Sequence, residues 1–117
     1  MATVSPVVDF VPAQAAKVPR VSWDGIVTGD TINALPIAAQ AAIAGAVQFS
    51  GTFGGATIGL QVSNDGTTYF DIRDLGGTVV SATAAGLFEF TTAAMFIRPV
   101  IAGGAANSIN VKLMLRG

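Results

Sequence analysis

Val47-Gln48-Phe49-Ser50-Gly51-Thr52-Phe53-Gly54-Gly55-Ala56-Thr57-Ile58-Gly59-Leu60-Gln61-Val62 is the stretch that decides the fold class of this chain. Apolar and polar side chains alternate on both sides of a Gly-Gly pair, which is the period of strands with one buried face. Glycine tolerates the positive φ that tight hairpin turns need. A two-residue turn at Gly54-Gly55 sets Phe49 opposite Leu60, Val47 opposite Val62 and Gly51 opposite Ile58. The other face then pairs Gln48 with Gln61 and Thr52 with Thr57. Antiparallel partners on one face should match in polarity, and these do. The pattern predicts a hairpin with one apolar face.

Downstream, Asn64-Asp65-Gly66 is turn chemistry. A two-residue loop at Asp65-Gly66 would set Leu60 against Asp71 and Ile58 against Arg73, a mismatch. A three-residue loop with Gly66 left-handed and a bulge after it pairs Leu60 with Phe70 and Ile58 with Ile72. Residues 47–73 thus read as a three-stranded meander. Near the C-terminus, Ile109, Val111, Leu113 and Leu115 alternate with Asn110, Lys112, Met114 and Arg116, and Gly103-Gly104-Ala105-Ala106-Asn107 separates them from Met95, Ile97 and Ile101. This predicts another hairpin. Pro99 lacks a ladder donor, so its strand is expected at an edge or with a bulge there.

Short Val/Ile/Phe/Thr-rich runs near 20–27, 33–38, 78–82 and 86–91 complete the series. Ala38-Ala39-Gln40-Ala41-Ala42-Ile43-Ala44 has room for one or two helical turns, too few to change the class. Residues 1–19 carry Pro6, Pro12 and Pro19 without strand or helix period. They read as an extended arm, not paired with the sheet, whose Val7, Val8, Phe10 and Val11 would dock on a neighbouring subunit or a shell. The fold class expected is all-β: an antiparallel β-sandwich or jelly-roll-like domain of about eight strands over 20–117, preceded by the arm 1–19.

Composition narrows the function. Of 117 residues 51% are apolar, only 11% are charged, and Cys and His are absent. A thiolate nucleophile, an imidazole base and the usual zinc sites are therefore excluded, and an enzyme is the weaker reading. Six basic residues against seven acidic ones include no basic run, so no nucleic-acid partner is expected. Residues 31–64 are uncharged but broken by Pro36, Gln40, Gly45, Gln48, Ser50 and Gly54-Gly55, so no membrane span is expected. The start Met1-Ala2-Thr3-Val4-Ser5-Pro6 has no secretory pattern and reads as cytoplasmic synthesis.

Candidate chemistry is sparse. Gly51, Gly54 and Gly55 lack the spacing and following helix of a phosphate loop and read as turn residues. Asn64, Asp65 and Asp71 lack the framework of a calcium loop. Asp71, Asp74 and Glu89 are the carboxylates available to an acid–base pair, but Asp71 and Arg73 share a strand face and read as a surface ion pair. Trp23 and Tyr69 read as core or interface anchors, or as stacking surfaces for sugars. No catalytic, metal or cofactor site is expected; Gly54, Gly55, Asn64, Asp65 and Gly66 are expected to define turns.

Gly51-Thr52-Phe53-Gly54-Gly55-Ala56-Thr57, Val62-Ser63-Asn64-Asp65-Gly66-Thr67-Thr68-Tyr69 and Phe96-Ile97-Arg98-Pro99-Val100 resemble a pattern of small virion proteins of tailed bacteriophages. The resemblance covers about residues 46–116 and implies a sandwich or jelly-roll subunit of a phage particle, of the capsid decoration or cement kind, without catalytic residues to carry over. It implies a virion location and contacts with major capsid protein or other virion proteins. Low charge independently predicts a dimer or trimer, because a domain with so few solvating groups is poorly protected against association. The alternative is a tail-associated binding module for carbohydrate or a host receptor, which should carry an exposed aromatic platform or a polar-lined groove.

Overall fold

The computed structural model describes the backbone of residues 2–12, 17–37 and 44–116, and the side chains of these except at 9–12, 17–19 and 116. Twelve strands follow in order: β1 (Thr3–Val4), β2 (Val7–Pro12), β3 (Lys17–Ile26), β4 (Thr31–Ile32), β5 (Leu35–Pro36), β6 (Ala44–Thr52), β7 (Thr57–Ser63), β8 (Phe70–Asp71), β9 (Ser81–Ala82), β10 (Gly86–Thr91), β11 (Phe96–Ala102) and β12 (Ser108–Arg116). One antiparallel sheet has the order β10-β6-β12-β3-β2. The other runs β5-β11-β7-β8, with β9 also on β7. A short parallel pair, β1 with β4, lies apart from both. The fold is an all-β antiparallel sandwich of about twelve strands. Five of these have only two residues, so the runs expected at 33–38 and 78–82 survive as the short β5 and β9, and the third strand of the expected 47–73 meander as the short β8.

The core follows from alternation along each long strand. In the first sheet Phe49, Val111 and Trp23 form one inward row, and Val47, Leu113 and Val21 the next. All six are fully buried, and they join Ile58, Leu60, Ile97, Ile72 and Val80 of the second-sheet side in one cluster. Among the described residues charge stays outside the core, and Lys112 Nζ lies 2.8 Å from Asp24 Oδ1. Trp23 and Ile26 are both fully buried although three positions apart, a spacing that would send them to opposite faces of a regular strand. A register shift against Ile109 and Val111 resolves this by giving β3 an extra residue at Asp24-Gly25. Gly25 adopts φ +71° there, and its N–H donates to Asn110 Oδ1 at 2.9 Å.

The structure corrects both hairpins. β6 pairs with β10 and β12, whereas β7 pairs with β11, β8 and β9, so the Gly54-Gly55 turn crosses between sheets. Phe49 and Leu60 do face one core, but from opposite layers. Likewise β11 belongs to the second sheet and β12 to the first, so residues 103–107 also form a crossing. Polarity matching was blind to this, because strands facing each other across a sandwich need the same inward parity as strands paired within one sheet. The β7–β8 register is shifted as well: Val62 pairs with Phe70, and the Ile72 N–H donates to Leu60 O at 3.1 Å. The faces expected for Leu60 and Ile72 are kept, and the connection is longer by two positions than a three-residue loop.

Residues 1–19 are a second correction. The expected arm was unpaired, but β2 is hydrogen-bonded to β3 along its length, from Val7 opposite Ser22 to Pro12 opposite Lys17. β1 is tied to β4, with Thr31 N–H donating to Ala2 O at 3.0 Å and Asn33 N–H to Val4 O at 2.9 Å. The prolines permit this by position. Pro6 separates β1 from β2, Pro12 ends β2, and Pro19 lies where β3 has run past its pairing with β12, which ends at Arg20. Pro99 obeys the same logic inside a central strand. Leu60 O is taken by Ile72, so the Leu60–Pro99 pair is of the non-hydrogen-bonded kind, and the Pro99 nitrogen faces the side where two-residue β5 has already ended. The expected helical turns at 38–44 lie outside the described residues except for Ala44, which opens β6.

Candidate functional site

Two edges flank the outer face of the first sheet, joined by the row Val7–Ser22–Lys112–Gln48–Leu87 across all five strands. Val7 is 64% exposed at one end and Leu87 61% at the other. Val8 pairs with Val21 on the opposite, inward parity, so Val7 and Val8 do not share a docking face. The side chains of Phe10 and Val11 lie outside the described residues; their backbones pair with Pro19 and Val18.

The β10 edge carries exposed apolar side chains of its own. Leu75, 66% exposed, sits in the turn that precedes β9, and its N–H donates to Glu89 O at 3.1 Å. That turn is rigidly built: Asp74 Oδ1 accepts from the N–H groups of Gly76 (2.9 Å) and Thr78 (3.0 Å), while Arg73 Nη1 donates to Gly77 O at 2.9 Å. Between Leu75 and the sheet runs a groove of about 250 Å³ lined by Ala44, Ala46, Glu89, Thr91 and Met114. Leu87 lies two residues before Glu89 on the same face of β10. Sequence reasoning missed Leu75 and Leu87. The signal was present in Leu87-Phe88-Glu89-Phe90, where buried Phe90 fixes the inward parity and leaves Leu87 outside.

The loop between β7 and β8 is held by its own side chains. Ser63 Oγ accepts from the N–H groups of Asp65 (3.2 Å) and Gly66 (3.0 Å) and donates to Asp65 Oδ1 at 2.8 Å. The same Oδ1 accepts from the Thr67 and Thr68 N–H groups, both at 2.8 Å. Asn64 Oδ1 accepts from the Met95 N–H at 3.1 Å, and Gly66 has φ +77°. These oxygens are spent on backbone amides, the ordinary work of such residues in turns.

The Thr67 and Thr68 amides, with the Ser63 hydroxyl, hold the Asp65 carboxyl down at about 2. The folded value is depressed, so the loop's contribution to stability is fully present above the ordinary aspartate value near 3.8 and is lost as pH falls through about 2. The amide resonances of Thr67 and Thr68 should therefore hold their shifts until the pH nears 2 and then move together. Asp65→Asn should abolish that step, and a common midpoint near 3.8 would show that the carboxylate does not cap these amides.

The other candidate groups are dispersed. Gly54 and Gly55 have φ of +57° and +84°, and Gly54 O accepts from Ala105 N–H at 3.0 Å, so this turn is packed against the 103–107 crossing. Trp23 is fully buried with Nε1 donating to Asn33 O at 2.9 Å, and it offers no stacking surface. Arg98 covers the Tyr69 ring, its Cζ 3.7 Å from the centroid, and donates through Nη2 to Gln61 Oε1 at 3.3 Å. Gln61 Nε2 passes this on to Asp71 Oδ1 at 3.3 Å. The expected Asp71–Arg73 pair is not formed, since Asp71 accepts from Gln61 and Arg73 donates to Gly77. Asp71 lies on the outer face of the second sheet and Glu89 on that of the first, so the two carboxylates cannot flank one bond. Among the described residues, no group of three Asp or Glu is arranged to hold a metal ion.

No protein-family model matches this chain, and no curated protein matches it either.

Proposed function

We propose that this protein is a non-enzymatic structural subunit of a tailed-phage particle, a capsid decoration or cement protein that stabilises the shell through protein–protein contacts. The observation that carries the reading is the β10 edge, where Leu75 and Leu87 stand about two-thirds exposed beside an apolar groove on a domain whose core is already closed. Burying each leucine in a partner contributes about 1.5–3 kcal/mol before ordering costs. The low charge count and the resemblance of residues 46–116 to small virion proteins support the same reading. The protein self-associates as a dimer or trimer and adds contacts to major capsid protein or other virion proteins.

The test is mass and location together. Light scattering should give a dimer or trimer at micromolar concentration, and a cryo-EM map of the native particle should place the chain on its outer surface. The double variant Leu75→Asp/Leu87→Asp should keep its far-UV spectrum but lose both self-association and retention on particles. A wild-type monomer that also fails to stay on particles would end the proposal.

A further inference from the structure

We propose that the end of the second sheet around Phe70 is a subsite for one neutral pyranose ring, independent of the assembly edge at β10. Phe70 pairs with Val62 on the parity that buries Ile72, yet on the edge strand β8 it is 67% exposed, while Ile97 and Leu35 of the same row are buried. It shares a hollow of about 250 Å³ with Val62, Asn64, Asp65, Thr68 and Ala94. The hollow is too small for a drug-sized ligand and suits a single ring.

The polar atoms around it are pre-set. Asn64 is anchored through Oδ1 on the Met95 amide, which leaves Nδ2 as a donor with no partner among the described residues. Asp65 is anchored through Oδ1 on two amides and the Ser63 hydroxyl, which leaves Oδ2 as an acceptor. A pyranose presents an apolar C–H face to an aromatic ring and, at its rim, hydroxyls that both donate and accept. Phe70, Asp65 Oδ2 and Asn64 Nδ2 supply the three complementary groups. Because the loop is already ordered by its own hydrogen bonds, binding adds little ordering cost. An apolar side chain of another protein would strand the Asn64 donor and the Asp65 acceptor. An acidic sugar would meet the Asp65 carboxylate, which stays ionised throughout the neutral range.

The experiment is a titration of the ¹⁵N-labelled full chain with the methyl glycosides of glucose, galactose, mannose and N-acetylglucosamine, each taken to tens of millimolar. At least one should produce saturable shifts confined to the amides near Asn64, Asp65, Thr68 and Phe70. Phe70→Ala should weaken that binding roughly tenfold or more while leaving the rest of the spectrum unchanged, and Phe70→Trp should retain it. The Leu75→Asp/Leu87→Asp variant should bind as the wild type does, which separates failure of this subsite from failure of the assembly reading. The subsite is overturned if none of the four glycosides gives saturable shifts, or if the shifts persist in Phe70→Ala. It is equally overturned if, without sugar, these amides broaden with protein concentration in the wild type but not in Phe70→Ala, which would make Phe70 a contact between copies.

Discussion

Trp23→Ala should lower stability by about 3–5 kcal/mol, a large fraction of what a domain of this size has. The indole is the largest fully buried side chain and stands in the inward row Phe49–Val111–Trp23, so its removal leaves a cavity lined by strands from both layers. The sheets cannot close over it without breaking the register of β3 against β12, which the Asp24-Gly25 bulge sets one residue away. Trp23→Phe isolates the smaller term. It keeps most of the apolar volume and removes the Nε1 bond to Asn33 O, a loss of about 0.5–1.5 kcal/mol on top of modest underpacking. Urea unfolding should show a far lower midpoint for the alanine variant with the slope unchanged. Equal losses in the two variants would show that packing around the indole is not what the ring contributes.

Gly54→Ala should cost about 2–5 kcal/mol, and Gly55→Ala only about 1–2 kcal/mol. Both glycines have positive φ, so any side chain there carries the left-handed penalty. They differ in space. A Cβ on Gly54 would overlap the carbonyl oxygen of Ala105, with the carbonyl carbons of Ala105 and Ala106 at 3.2 and 3.4 Å, and backbone cannot rotate away as a side chain can. A Cβ on Gly55 meets only Gly104 Cα at 3.8 Å, ordinary contact. The difference arises because the two crossings between sheets, 53–56 and 103–107, lie against each other at one end of the sandwich. If residues 47–62 formed a simple hairpin, both substitutions would carry the φ penalty alone and the two variants would melt together. Thermal denaturation of the pair therefore separates the crossing from the hairpin, and coincident midpoints would refute the crossing.

The loop residues show where local reasoning reaches. Asn64, Asp65 and Gly66 read as turn chemistry because short polar side chains cap nearby amides and glycine accepts positive φ, and their bonds span at most three residues except for Asn64 to Met95. The exposure of Phe70 was not legible. Its place in the alternation is inward, and only its position on the edge strand β8 leaves it in solvent beside Asn64 and Asp65. Leu75 was hidden for a similar reason, since a leucine in a turn of a β-rich chain reads as core until the sheet edge beside it is known, whereas the alternation Leu87-Phe88-Glu89-Phe90 already held Leu87 outside.

The sequence by itself determined the class, all-β with antiparallel sheets, and the inward set Val47, Phe49, Ile58, Leu60, Val111 and Leu113. Both follow from a period of two along the chain, a property of the strand alone. Only the tertiary structure decided which strands pair, that β6 and β7 part into different layers, that β2 joins the first sheet as its edge, and that the Leu60–Phe70 register slips by two. The physical reason is that parity specifies a face and not a partner. Every strand that turns an apolar face inward satisfies the same alternation, and the choice among partners rests on long-range hydrogen bonds and on how the two layers stack.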